Sequence, residues 1–243
     1  MDNKVERAII MAAGLGNRMK PVSDFIPKPL ITVNGIRMID TVIDGLISNG
    51  IDDIVVVVGY KKDAFDILKE KYNQLEIIYN PDYSKYNNIS SLYYARERLN
   101  RPCMILDGDQ IIYNSKILSP YFEKSGYSAV WVDESTNEWL MQEKDGRVIS
   151  CSRTGGDKGW QLYSISRWSE EDAKKLKKYV KLEYEVNKNR QIYWDDVPMF
   201  IYFDEFELGI TPIKMGDLVE VDSIDELIVL DASYRRYLEY REV

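Results

Sequence analysis

Residues 12–21 read AAGLGNRMKP; the apolar run ERAIIMAA (6–13) leads into them and IPKPL (26–30) follows. An apolar strand ending in a glycine-bearing loop is how a parallel sheet brings backbone N–H groups up to a phosphate. Gly14 and Gly16 stand where such amides would approach. This is not a Walker loop, since no Gly-Lys-Ser/Thr closes it. It is not a dinucleotide fingerprint either, since Met19 takes the place of the third glycine. Alone, the two glycines read equally well as a tight strand-to-loop turn. Two cations tilt the balance toward a phosphate: Arg18, two residues after Gly16, and Lys28, fixed between Pro27 and Pro29.

Outward from this loop, strand and helix alternate. A short buried strand is expected over 9–13. Met38–Ser48 carries Ile39, Val42, Ile43 and Leu46 at helical spacing and stops at Asn49-Gly50. IVVVVG (54–59) is a continuous β-branched run, the pattern of a central parallel strand covered on both faces. A helix over 63–72, a strand over 75–80, a helix over 88–99 and a strand over 103–109 follow. The alternation predicts a doubly wound parallel sheet. The second half changes character. YSAVWVDES (127–135), WLMQEKDGRVISCSR (139–153) and GWQLYSISRW (159–168) read as antiparallel strands, with Lys144-Asp145-Gly146 as a hairpin turn. A charged helix is expected over 169–187, a last strand over 218–223, and one last helix over 224–241. Ser223 and Glu226 form a capping-box pair at its start. One domain over 1–243 is the economical organisation.

Composition narrows the chemistry. The 243 residues are 45% hydrophobic and 30% charged, an ordinary globular balance, and carry a net charge of -8. An acidic chain without a basic stripe is ill-suited to nucleic acid, whose affinity comes mainly from Lys and Arg. The absence of histidine removes Ser–His–Asp and Cys–His nucleophiles and imidazole acid–base chemistry. Carboxylates, lysines, positioning or metal remain. Cys103 and Cys151 lack metal-type spacing and read as two reduced thiols. With no basic-plus-apolar leader and no run of roughly 18 apolar residues, a cytoplasmic protein without membrane insertion is expected.

Residues 12–30, AAGLGNRMKPVSDFIPKPL, resemble the signature of nucleotidyltransferases that couple a nucleoside triphosphate to a phosphorylated small molecule: a strand, AAG-x-G-x-R, two residues, Pro, and later PK-x-L. The resemblance implies that the backbone of Ala12, Ala13, Gly14, Leu15 and Gly16 cradles the nucleotide. Arg18 would meet the leaving phosphates, and Lys28 would neutralise charge at the α-phosphate. ILDGDQ (105–110) ends a strand with two acids, where doubly wound sheets place their ligands. In the family the aspartate of a Gly-Asp pair holds Mg²⁺, which maps to Asp109, with Asp107 in reserve and otherwise among the nucleotide-binding residues. A late acid completes the metal site, which maps to Asp222 in EVDS (220–223).

KYNNISSLYYA (85–95), TNEW (136–139), GWQLYSISRW and IYWDD (192–196) together resemble bacterial CTP:phosphocholine cytidylyltransferases over essentially the whole chain. That resemblance implies an α/β fold: a Rossmann-like doubly wound mixed sheet, mostly parallel, as in nucleotide-diphospho-sugar transferases. It also implies an antiparallel acceptor-binding subregion over about 126–220, after a nucleotide-binding half over about 1–125 and before the last acid and helix over 221–243. The expected reaction is CTP plus phosphocholine to CDP-choline plus pyrophosphate, with Mg²⁺. A trimethylammonium group donates no hydrogen bond; aromatic faces attract it by about 0.5–2 kcal/mol per ring, and carboxylates add to this. Trp139, Tyr193 and Trp194, beside Glu138, Asp195 and Asp196, carry that chemistry, whereas Trp131, Trp160 and Trp168 read as strand and core residues. Asn87, Asn88 and Ser90 would read the cytosine or hold the ribose, or equally cap the following helix. The same chemistry on an aminoalkyl phosphonate, phosphoethanolamine or a sugar 1-phosphate is the near alternative; a non-catalytic nucleotide-binding subunit is the distant one. A homodimer through the Tyr-rich last helix stays open.

Overall fold

The computed structural model describes residues 3–241. Its centre is a nine-stranded mixed sheet. The first half supplies β1 (Arg7–Ala12), α1 (Met38–Ser48), β2 (Asp53–Val58), α2 (Asp66–Lys71), β3 (Leu75–Tyr79), α3 (Ile89–Ala95) and β4 (Cys103–Asp107). Strands β4, β1, β2 and β3 lie side by side and parallel, Ile9 opposite both Val55 and Ile105. Residues of β1 and β2 alternate between two cores. Ile10, Ala12, Val56 and Val58 pack with Ile39, Val42 and Leu46 of α1, while Ile9, Met11, Val55 and Val57 pack with Ile89 and Leu92 of α3. A strand buried on both faces needs apolar residues at every position, and the unbroken IVVVV run supplies them.

The short strand β5 (Gln110–Ile112) leaves the main sheet after a bend at Gly108 and Asp109. The second half adds β6 (Gly126–Val132), β7 (Leu140–Lys144), β8 (Arg147–Ser152) and β9 (Gly159–Trp168). Strand β9 runs antiparallel to β4 and joins the two halves into one sheet, Ile165 opposite Leu106. Between β7 and β8, Asp145 (φ 54°) and Gly146 (φ 75°) make the hairpin turn, both left-handed as a two-residue hairpin with the sheet's twist requires.

After α4 (Glu170–Lys181) come β10 (Gly209–Pro212), β11 (Leu218–Glu220) and α5 (Ile224–Leu230). Strand β11 pairs antiparallel with β5, Glu220 opposite Gln110. The capping box is closed: Ser223 Oγ accepts from the Glu226 amide, and the Glu226 carboxylate accepts from the Ser223 amide. The expected single helix over 224–241 is broken. Asp231 leaves the helical region (φ -142°, ψ 100°), and Ala232–Arg241 continues as 3₁₀ turns. The cause is local competition: the Asp231 carboxylate accepts from the amides of Asn34 and Ser233, which pulls it out of the helix and ties it to a distant loop. Among the described residues no helix is long and apolar enough to cross a membrane.

Candidate active site

A cleft of about 470 Å³ opens at the C-terminal ends of β1 and β4, where parallel sheets of this kind bind ligands. On one side lies the glycine loop, with Ala12, Gly14 and Gly16 facing the cleft beside Asn17 and Arg18. Gly16 is left-handed (φ 65°), and a Cβ there would stand 3.1 Å from Lys28 Cβ. The loop therefore closes against the lysine. Ala13 and Leu15, expected in the cradle, are not among the residues that line the cleft. The Ala13 carbonyl accepts from the Tyr60 amide, which anchors the loop to the end of β2.

Lys28 is buried and bound to both distant aspartates, 2.6 Å from Asp109 and 2.9 Å from Asp222. Burial pulls its pKa down, but Asp109 and then Asp222 outweigh this and hold the ammonium above the ordinary lysine range. The topology explains the convergence. Gln110 pairs with Glu220 in an antiparallel ladder, so the residue before β5 lies beside the residues after β11. Arg18 reaches the same Asp222 oxygen at 3.1 Å. Burial pushes the Asp222 carboxyl up, yet Lys28 and Arg18 bring it below the usual carboxylate range. The Glu226 carboxylate accepts from the Asp222 backbone amide, so the capping box also fixes this acid in place.

No three His, Cys, Asp or Glu side chains converge into a protein-only metal cage among the described residues. Two carboxylates sharing one ammonium are what Mg²⁺ needs from a protein, since it takes one or two carboxylates and completes its shell with phosphates and water.

The cleft is also lined by Glu138, Trp139, Tyr193 and Asp195. Trp139 and Tyr193 meet edge to face at 5.9 Å. Asp196 accepts from the Tyr193 amide at 2.9 Å and from Arg153 Nε at 2.9 Å, and the Arg153 guanidinium lies 3.7 Å above Phe200, which in turn abuts Trp139. Asn88 also lines the cleft; its side-chain oxygen accepts from the Trp194 amide at 2.8 Å and pins the 193–196 segment. Asn87 and Ser90 lie elsewhere. Asn87 donates to the Gln191 carbonyl, and buried Ser90 donates to the Asn87 carbonyl and accepts from Asn80. These bonds brace the loop that leads into α3. Trp194, expected in the aromatic cage, is in the core, stacked on Tyr127 and edge-on to Trp168. Its large apolar ring is better buried than wetted.

Among the described residues, three acids in the cleft form no ion pair with a Lys or Arg: Asp107, Asp195 and Glu220. Burial, then Asp109 and Asp195, pushes Asp107 well above its usual range. Asp107 and Asp195 both open partly onto the cleft, yet protein surrounds them on most sides. Burial raises Asp195 to about 7. Glu220 was missed by sequence reasoning. Burial, then Asp109, pushes it up to about 7, although cleft water still reaches it and tempers that push, and its carboxylate accepts from Ser164 Oγ at 3.1 Å. The signal was present: Glu220 stands two before Asp222 at the end of an apolar strand, and a period of two places both on one face.

A doubly wound sheet whose strand tips gather a glycine loop, a proline-flanked lysine and two acids from opposite ends of the chain defines a nucleotidyltransferase. The chain belongs to the MobA-like NTP transferase domain family, whose model matches residues 8–141. It is 37% identical to the 2-aminoethylphosphonate cytidylyltransferase of Lancefieldella rimae over 229 residues, 93% of this chain and 92% of that one. It is 30% identical to the choline-phosphate cytidylyltransferase of Streptococcus pneumoniae over 220 residues, 90% of this chain and 94% of that one. The solved structure of the CTP:phosphocholine cytidylyltransferase from Streptococcus pneumoniae superimposes with a TM-score of 0.84 at 30% identity, covering 96% of this chain and all of that one.

Proposed function

We propose that the protein transfers a cytidylyl group from CTP to a small acceptor with a phosphate or phosphonate oxyanion at one end and an ammonium at the other. The observation that carries this is the charge gathered in one cleft: the cations Lys28 and Arg18, paired with Asp109 and Asp222, share it with four further acids, Asp107, Glu138, Asp195 and Glu220. Relatives acting on 2-aminoethylphosphonate and on choline phosphate support it. The acceptor oxyanion attacks the α-phosphorus in line, and pyrophosphate leaves. The oxyanion is already ionised, so no general base is needed. Lys28 offsets charge at the α-phosphate, and Arg18 follows the departing pyrophosphate. Asp109 and Asp222 are the residues that would hold Mg²⁺, which when bound neutralises triphosphate charge.

An aminoalkyl phosphonate suits the ammonium end best. A primary ammonium offers three donors to carboxylates that otherwise sit without a cation, whereas a trimethylammonium offers none. Phosphocholine is the second reading, favoured by the Trp139–Tyr193 pair. It loses part of its cage because Trp194 is core. Pyrophosphate release measured for the four NTPs against 2-aminoethylphosphonate, phosphoethanolamine, phosphocholine and a sugar 1-phosphate tests the proposal. CTP with an amine acceptor should dominate; a sugar 1-phosphate turned over faster would overturn it.

The acceptor KM should fall as pH rises through about 7 and level off above it, because Asp195, raised to about 7, gains its charge there. The acceptor's own phosphate ionises near 6, so the Asp195→Asn variant is the control: its inflection near 7 should vanish. The same shift means that the folded state holds a proton the unfolded chain releases near 4. Stability should therefore decline as pH rises between those values. A KM profile identical in both proteins would remove Asp195 from the acceptor site.

A further inference from the structure

Behind the cleft lies a second, smaller cavity of about 30 Å³. Asp107, Leu162, Ser164 and Asp195 line both spaces, so the small chamber is a back room of the large one. Tyr127 and Trp194 form part of its inner wall. The Tyr127 hydroxyl is buried and faces Asp195, and among the described residues it closes no hydrogen bond of ordinary geometry. A buried phenol left unsatisfied costs about 1–3 kcal/mol, so a group that completes it is expected in the chamber. Ser166, also on the wall, is already engaged: it donates to the Ile105 carbonyl and accepts from Trp168 Nε1.

Building on the function proposed above, we infer that this chamber is the subsite for the primary ammonium of the acceptor and sets its specificity. The chemistry matches. An alkylammonium carries three N–H donors, and the acceptors on the chamber wall include the carboxylates of Asp107 and Asp195, the phenolic oxygen of Tyr127 and the Ser164 hydroxyl. The size matches as well. A cavity needs about 10–15 Å³ of such space to hold one water, so the chamber takes an ammonium, a group the size of a water, more readily than a trimethylammonium with its three further carbons. Trp194 thus serves the acceptor as the rear wall of the chamber rather than as a cage ring on the open cleft.

The test is a series in which phosphoethanolamine gains one, two and three N-methyl groups, the last member being phosphocholine, with kcat/KM measured for each at saturating CTP. A misfitting methyl in a closed pocket costs roughly tenfold or more, so a fall of about that size is expected before the trimethyl member. Leu162→Ala enlarges the chamber and should narrow the gap between the first and last members. That ratio is taken within one variant, so loss of folded protein cancels. Tyr127→Phe should raise the acceptor KM about tenfold and leave the CTP KM unchanged. A flat series, or one rising toward phosphocholine in the wild type, would overturn the chamber's role while cytidylyl transfer to amines stood. Transfer to no amine at all would defeat the proposed function and the chamber with it.

Discussion

Lys28→Ala should lower kcat/KM by about 10²–10³-fold, the loss typical of removing one fixed charge or donor from a developing oxyanion. The lysine is buried between Pro27 and Pro29, with its ammonium 2.6 Å from Asp109 and 2.9 Å from Asp222. Its rigidity carries the expectation: a charge already oriented needs no reorganisation when the α-phosphate accumulates charge. The fold should survive. Lys28 holds no β-ladder together, and both aspartates it leaves behind are partly open to water, with 32% and 41% of their side chains exposed. A thermal melt close to wild type beside collapsed turnover is the expected pair of results. Near-normal turnover would dismiss the lysine from the chemistry.

Asp109→Asn should cost at least about 100-fold in activity and raise the Mg²⁺ concentration needed for half-maximal rate, as the proposed role of Asp109 and Asp222 in holding the metal requires. Asp222→Asn should do the same. Among the described residues Asp222 is additionally the acid shared by Lys28 and Arg18, so this variant releases Arg18 while Lys28 keeps Asp109. CTP should then bind with less competition for Arg18, and the deficit should fall on kcat more than on the CTP KM. Metal titrations monitored by pyrophosphate release separate the two effects. An unchanged Mg²⁺ midpoint in both variants would place the metal, if one is used, on other residues.

Much of this was legible in the chain. The β-branched run at 54–58 announces a strand covered on both faces, and Ile9–Met11 and Val55–Val57 do divide between two cores. The glycine loop, the proline-flanked lysine and the acids at strand ends could be named because each is marked by its immediate neighbours. The capping box at Ser223 and Glu226 is a four-residue pattern and formed as expected. Other features left weak traces. Asp231 breaks the last helix through a contact with Asn34, nearly two hundred positions away. Trp194 sits next to two acids in sequence, yet its ring stacks on Tyr127 in the core.

By itself, then, the sequence determined the alternation of strands and helices, the glycine loop at the end of the first long strand and the identity of the charges that line the cleft. Each of these depends on residues close together in the chain. Tertiary structure alone decided which aspartates share Lys28, which aromatic rings line the cleft, and that a small acidic chamber lies behind it. Those outcomes follow from the pairing of Gln110 with Glu220 and of β9 with β4. Long-range strand registry is set by burial summed over whole cores, and no local pattern encodes it.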